Sequence, residues 1–169
     1  SLEVPIPVMQ HGLEVAKRNG VLTILNPAPA AILPDEVYGL SDYFTPNETE
    51  AAILAGIPVV TIEDAEEAAK IFLQRGIDTV VITLGEKGAY VRNSVINQHV
   101  PAFDMGSKVL ETTGAGDAFN GGFAYALAEG MSLIEAVRFG SATAAISVTR
   151  LGTAPAMPVN SEIQDLLNK

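Results

Sequence analysis

Apolar residues recur at near-helical spacing through Ile6, Met9, Leu13 and Ala16 and stop at Gly20, which predicts a helix. The short apolar run Val21 to Leu25 then reads as a buried strand, so a βα alternation has begun. Asn-Pro-Ala-Pro-Ala (26–30) must be loop, because its two prolines cannot donate to a helix or a sheet ladder. A strand around Asp42 to Thr45 leads to Asn47, which caps a helix ending at Gly56. Thr61 with Asp64 resembles a capping box, and Ala65, Ala68, Ala69 and Phe72 form one apolar stripe before Gly76. Thr79 to Thr83 is β-branched and apolar with no polar face, the pattern of a central parallel strand covered on both sides. Ala89 to Arg92 and Val95 to Val100, joined through Asn93-Ser94, form a predicted β-hairpin at the sheet edge. Gly114-Ala-Gly116 opens a helix running to Gly130, Ser132 with Glu135 opens an Ala-rich helix toward Thr149, and Ser161 to Asn168 forms a last one. The whole reads as one α/β layer structure without repeats.

Composition narrows this further. With 48% hydrophobic and 18% charged residues, a chain of 169 holds one sizeable core and is expected to fold as a single body. No stretch approaches the ~18 uninterrupted apolar residues of a membrane span. Twenty acids against ten bases give a formal charge of −10, which repels nucleic acid and anionic lipid, so any phosphate recognition has to be local. The absence of cysteine excludes disulfides, thiolate zinc sites and cysteine nucleophiles, and makes the reducing cytoplasm the expected compartment. The chain opens on Ser1 with no basic-then-apolar targeting segment, as a truncated chain would.

Candidate chemistry concentrates in three places. In Glu-Thr-Thr-Gly-Ala-Gly-Asp-Ala-Phe-Asn (111–120), small residues lead into a helix and leave backbone N–H groups free to face an anion such as phosphate. No Gly-Lys-Ser/Thr follows, and Phe119 stands at the last glycine position of a dinucleotide fingerprint, so neither of those nucleotide motifs is present. Asp117 falls in the first helical turn, where spacing alone leaves both a dipole-favoured acid and a catalytic acid open. Asn47 and Glu50 share a helix face and suit either a phosphate with hydrated Mg²⁺ or a plain cap with a surface acid. Thr83-Leu84-Gly85-Glu86-Lys87-Gly88 ends the central strand, where open α/β sheets bind ligands, and a tight turn explains it equally well. His11 and His99 lack a second imidazole at metal-ligand spacing, and no zinc site is expected.

Five segments together carry a resemblance: Asn-Pro-Ala-Pro-Ala (26–30), Thr-Pro-Asn-Glu-Thr-Glu (45–50), Ile-Thr-Leu-Gly-Glu-Lys-Gly (82–88), Thr-Thr-Gly-Ala-Gly-Asp-Ala-Phe (112–119) and Val-Thr-Arg-Leu-Gly-Thr-Ala-Pro (148–155). In this order and spacing the chain resembles the ribokinase-like (PfkB) sugar and nucleoside kinases from about residue 3 to its end. The resemblance implies a three-layer α/β sandwich with a mainly parallel sheet. It casts residues 1–169 as the C-terminal part of the kinase domain, with the N-terminal strands, the β-sheet lid and the Gly-rich sugar loop missing. It implies ATP-dependent phosphorylation of a sugar hydroxyl, D-ribose to ribose 5-phosphate, with weak activity for the isolated chain. Alternatives are another PfkB-type sugar or nucleoside kinase, such as a fructokinase-like one, and an inactive nucleotide-binding module.

By the same resemblance the Gly114, Ala115 and Gly116 backbone forms an anion hole over the phosphoryl group and Asp117 is the base. Asn47 contacts the ATP phosphates, Glu50 orders the Mg²⁺ shell through water, and Thr83 to Gly88 with Ser141 line the nucleotide pocket. Glu3 with Asp117 contacts the sugar. Oxygens of Glu111, Thr113, Ser147, Arg150, Gly152 and Ala156 would hold an activating K⁺. Family members usually have Asp where Glu111 stands, and the longer acid bears on both the cation and the sugar. Family dimers form through the missing lid; no nucleic acid or membrane partner is implied.

Overall fold

The computed structural model describes residues 1–168. Its helices are α1 (Ile6–Arg18), α2 (Asp35–Tyr38), α3 (Glu48–Ala55), α4 (Ile62–Gln74), α5 (Ala115–Ala128), α6 (Leu133–Ser147) and α7 (Asn160–Leu167). Its strands are β1 (Ile24–Leu25), β2 (Tyr43–Phe44), β3 (Thr79–Thr83), β4 (Ala89–Arg92) and β5 (Asn97–Val100), and they lie in one open sheet in the order β1-β2-β3-β4-β5. Length and composition point to a single body; the chain is organised as two compact units. The first comprises Ser1–Leu84 with Tyr90–His99, the second Gly85–Ala89 with Val100 onward.

In the first unit β1, β2 and β3 run parallel, with Ile24 opposite Tyr43, Leu25 opposite Phe44, and Tyr43 and Phe44 opposite Thr79 and Val80. As the all-apolar pattern predicts, β3 is buried through Ile82, with only Thr83 partly open. The core beneath the sheet holds an aromatic cluster: Phe44 meets Tyr38 and Phe72 edge-on at 5.8 and 5.0 Å, and Tyr38 stacks on Phe72 at 6.4 Å. Each such buried ring contributes about 1.5–3 kcal/mol. At the end of α4, Arg75 Nη1 donates to the Tyr38 hydroxyl at 3.1 Å and to the Leu54 carbonyl at 2.9 Å, which ties α2 and α3 to the same cluster.

The helix signals of this unit are met: α3 starts at its Asn47 cap and ends at Gly56 in the left-handed conformation, and α4 starts at the Thr61–Asp64 box. The strand lengths are corrected. The expected Val21–Leu25 strand shrinks to Ile24–Leu25, and Asp42–Thr45 shrinks to Tyr43–Phe44. Before the ladder begins, the Asp42 carboxylate accepts from Thr23 N at 2.7 Å and Thr23 Oγ1 at 2.8 Å, so a side chain takes the place of a backbone partner. Val21 and Leu22 are left 57% and 51% exposed. The hairpin also differs. Asn93 Oδ1 accepts from Val95 N and Ile96 N, so the turn runs to Ile96 and β5 starts at Asn97. β5 shows a polar edge, with Asn97 and Gln98 exposed.

The second unit is built on α5 packed against α6. Phe119 stacks on Phe123 at 5.8 Å, and Tyr125 meets Phe139 at 5.3 Å. Ser132 N and Oγ both donate to the Glu135 carboxylate, at 2.9 and 2.6 Å, which starts α6 as its sequence signal predicts. α7 packs against α6. Among the described residues, no helix is long and apolar enough to cross a membrane.

Candidate active site

Asn47 sits at the carboxyl end of the sheet. Its backbone bridges Thr83 in parallel, and Thr83 N donates to the Pro46 carbonyl at 3.0 Å, so the cap of α3 and the end of β3 are fixed beside each other. Asn47 and Glu50 are closed on one another. Glu50 N donates to Asn47 Oδ1 at 2.8 Å, Asn47 N donates to Glu50 Oε2 at 2.9 Å, and Asn47 Nδ2 donates to Glu50 Oε1 at 3.0 Å. Glu50 is 7% exposed. Burial pushes its carboxyl above the ordinary range and nearby Glu48 adds to the rise, while the Asn47 N–H bond pulls the other way. A surface acid has no need of such burial. A desolvated carboxylate held at the carboxyl end of a parallel sheet is an arrangement typical of sites.

The start of α5 is made differently. Gly114 occupies the cap position with φ +80°, and no side chain caps the N–H groups of the turn. The positive φ calls for glycine at 114, and a Cβ there would also press on Thr153 Cγ2 at 3.1 Å. A Cβ on Gly116 would meet nothing within 4 Å, so the surface of the first turn is open. The N–H groups of Gly116 and Asp117 have no preceding helical carbonyl to bond, and with the helix dipole they favour an anion. Asp117 is exposed in that turn and borders a cavity of about 350 Å³, which Gly121, Tyr125, Thr143 and Asn160 also line. Asn120, one turn on, donates from Nδ2 to the Gly116 carbonyl at 2.8 Å and steadies the turn; its spacing of four from Gly116 is the signal that sequence reading passed over.

The segments expected to hold a monovalent cation come together within the second unit. Leu110 N and Glu111 N both donate to the Val148 carbonyl, at 2.8 and 3.2 Å, and Gly152 N donates to Glu111 Oε2 at 3.0 Å. Val148 was not singled out by the sequence. Ser147 is buried, with its hydroxyl donating to the Ala144 carbonyl, and Ala156 is buried in the turn that follows. The Arg150 guanidinium is turned to Glu162 in α7 and to the Met157 carbonyl, and Arg150 N donates to the Ser147 carbonyl at 3.1 Å. Glu162, held by Arg150 and the Val159 N–H, has its carboxyl below the usual range. A set of carbonyls and hydroxyls with one carboxylate suits a hard ion of low charge. Among the described residues, no group of three or more His, Cys, Asp or Glu is placed to hold a metal.

The remaining positions divide between the units. Gly85–Lys87 form a single 3₁₀ turn, and a Cβ on Gly88 would lie 2.1 Å from the Val100 carbonyl oxygen, so Gly88 is explained by the close passage of two backbones. Ser141 is half-buried on α6. Glu3 is exposed in the first unit, where Ser1 Oγ donates to it at 3.4 Å and Leu2 N anchors the segment to the Ala28 carbonyl. His11 pairs with Glu14 on the surface of α1 at 3.7 Å. A second cavity, about 430 Å³, touches Lys17, Asp42, Tyr43, Asp78 and Thr79 at the amino ends of β2 and β3, away from Asn47 and Thr83 at their carboxyl side.

Comparison with known proteins agrees with this geometry. Residues 1–160 match the pfkB family carbohydrate kinase. Ribokinase of Haemophilus influenzae is 46% identical over 166 residues, which cover 98% of this chain and 54% of that protein. The crystal structure of ribokinase from Thermotoga maritima superposes with a TM-score of 0.82 at 42% identity, over 94% of this chain and 52% of that one. Arabidopsis thaliana ribokinase, complexed with ribose and ATP, superposes with a TM-score of 0.89 at 33% identity, over 99% and 54%. The chain spans about half the length of the curated relatives it matches. The glycine-built start of α5 and the Asn47–Glu50 corner thus stand in a sequence that, over nearly all its length, belongs to the pfkB family of carbohydrate kinases.

Proposed function

We propose that the chain supplies the nucleotide half and the catalytic aspartate of an ATP-dependent sugar kinase that converts D-ribose to ribose 5-phosphate. The observation that carries this reading is the uncapped, open first turn of α5 with Asp117 in it. The complex of the Arabidopsis relative with ribose and ATP supports the choice of substrates.

Phosphoryl transfer spreads negative charge over the equatorial oxygens of the moving group, and positioned donors stabilise it most where water is excluded. The Gly114–Gly116 backbone with the Asp117 N–H would supply such donors, apart from Ala115 N, which already donates to the Thr112 carbonyl at 3.2 Å. A carboxylate whose reference pKa is about 3.9 is far too weak to strip a sugar hydroxyl early. Asp117 therefore orients the hydroxyl toward the phosphorus and accepts its proton late in the transfer. Asn47, held by Glu50, would offer its amide to the nucleotide phosphates, and Glu50 would hold the waters of a Mg²⁺ ion, which would supply charge neutralisation to those phosphates. K⁺ between the 111–113 and 147–156 segments would fix carbonyls beside the anion hole without touching substrate.

The test has two arms. The chain alone should bind a non-hydrolysable ATP analogue with Mg²⁺ and turn ribose over poorly, because Glu3 and Asp117 are its only sugar contacts by family resemblance. A longer protein carrying this chain should phosphorylate ribose in preference to fructose or a nucleoside. Absence of nucleotide binding by the chain, or a preference for another acceptor in the longer protein, overturns the corresponding part.

A further inference from the structure

β1 and β2 run parallel, and Thr45, the residue after β2, donates from its N–H to the Leu25 carbonyl at 3.0 Å. In a parallel ladder the same residue then accepts, through its carbonyl, from the residue two places further along the partner strand. Here that residue is Pro27, which has no N–H to give. The rung is made all the same, because Asn26 Nδ2 donates to the Thr45 carbonyl at 2.8 Å. A side-chain amide thus stands in for the donor that proline removes, as the Asp42 carboxylate stands in for a backbone partner at the other end of the same strand pair. Thr45 is buried, so water is a poor replacement for this donor.

The rung holds the approach to the Asn47–Glu50 corner. Pro46 has no N–H either, so the Thr45 carbonyl is the one hydrogen-bonding group of the 45–46 peptide. From the opposite side Thr83 N donates to the Pro46 carbonyl at 3.0 Å, and Asn47 bridges Thr83. The segment 45–47 is therefore pinned by β3 on one side and by Leu25 and Asn26 on the other.

We propose that Asn26 is a positioning residue: by completing the ladder where Pro27 cannot, its amide fixes the 45–46 peptide and with it the direction in which Asn47 presents its own amide to a nucleotide phosphate. This deepens the kinase reading and rests on it for the identity of that ligand. Asn26 acts through the main chain and not by touching the nucleotide.

Three variants of this chain test it. Asn26→Ala and Asn26→Leu each remove the donor, the second with the shape of the side chain kept, and Asn26→Ala combined with Pro27→Ala returns an N–H to the position that the ladder calls for. By NMR, the Thr45 carbonyl carbon and the amides of Asn47 and Glu50 should shift in both single variants and return toward their wild-type positions in the double variant. Affinity for the ATP analogue with Mg²⁺, measured well below the melting temperature, should fall roughly three- to tenfold in the single variants, the ordinary size of one lost hydrogen bond, and recover to within about twofold in the double variant. A residue that merely stabilised the strand pair would lower the melting temperature and leave that affinity alone. Unchanged Thr45 and Asn47 resonances in Asn26→Leu overturn the rung, and shifted resonances with undiminished affinity overturn the positioning role. Should the single variants fail to fold, recovery of folding and binding in the double variant supports the rung; a double variant that recovers nothing overturns it. If the wild-type chain binds no nucleotide, the kinase reading fails, while the resonances and their recovery still decide whether Asn26 fixes the corner.

Discussion

At the start of α3 the side chains of Asn47 and Glu50 fill the bonding positions of the first turn with one another, whereas at the start of α5 a left-handed glycine takes the cap position and no side chain caps the N–H groups. The first helix is stabilised by its own sequence. The second leaves its terminal donors to whatever anion arrives. A cap is worth about 1 kcal/mol, so its absence from a fourteen-residue helix packed against α6 is a small sacrifice of stability that leaves the first turn open. In the proposed kinase, one terminus holds a preorganised corner and the other the reacting group.

The largest effect should come from the open terminus. Asp117→Asn in the longer protein should lower kcat by ~10²–10⁴-fold while ATP affinity stays nearly unchanged, because asparagine starts a helix as well as aspartate but cannot take the hydroxyl proton. Normal kcat, with stability lowered by about 1 kcal/mol or less, would reduce Asp117 to an acid favoured by the helix dipole. Gly114→Ala should cost about 1–3 kcal/mol of stability, since the methyl group is strained at φ +80° and meets Thr153. Gly116→Ala is the informative counterpart. Alanine there should leave stability unchanged or raise it by about 0.5–1 kcal/mol, while its methyl group, standing in open space over the turn, weakens nucleotide binding. Full nucleotide affinity in Gly116→Ala, measured calorimetrically, would show that the open surface of this turn is not the phosphate site.

The closed terminus should respond more modestly and in stability first. Asn47→Ala removes the cap and one of the Glu50 carboxylate's two bonds, which should cost about 1 kcal/mol, with a range of 0.5–2, in denaturant unfolding. Glu50→Gln should have the smallest effect, visible in its dependence on pH. Burial holds the folded carboxyl above its unfolded value, so the stability linked to it is present below the unfolded pKa and is lost as pH rises through the folded one. The melting temperature of Glu50→Gln relative to wild type should therefore be more favourable at pH 7 than at pH 4. A difference that runs the other way would mean that Glu50 is stabilised as an anion, and that the corner is a structural ion site.

The two termini also differ in how much of them the sequence exposes. The cap at Asn47 and the capping box at Thr61 lie within one turn, so local spacing reveals them, though not that Glu50 closes a box at Asn47, and β3 is legible because burial on both faces leaves an unbroken apolar run. The Gly-Ala-Gly-Asp segment shows its uncapped helix start for the same local reason. Strand lengths were not legible, because β1 can pair no further than two-residue β2 and because Asp42 replaces a ladder partner at Thr23. Nor does anything near Glu111 point to Gly152, or anything near Arg150 to Glu162; those bonds exist only once α5, α6 and α7 have packed. That Glu50 is buried rather than a surface acid likewise follows from packing at the end of the sheet.

The two borders of the sheet will also govern how the isolated chain behaves in the test tube. β5 presents exposed Asn97 and Gln98 to any passing strand, which discourages lateral pairing, while β1 ends in a short ladder flanked by the bare aliphatic groups of Val21 and Leu22. At the millimolar concentrations of an NMR sample, self-association should begin at Val21–Leu25, in spite of the mutual repulsion of copies that each carry a formal charge of −10. Salt screens that repulsion, so the chain will stay monomeric longest in dilute, low-salt buffer, and a lysine at position 22 is the simplest change for keeping it so.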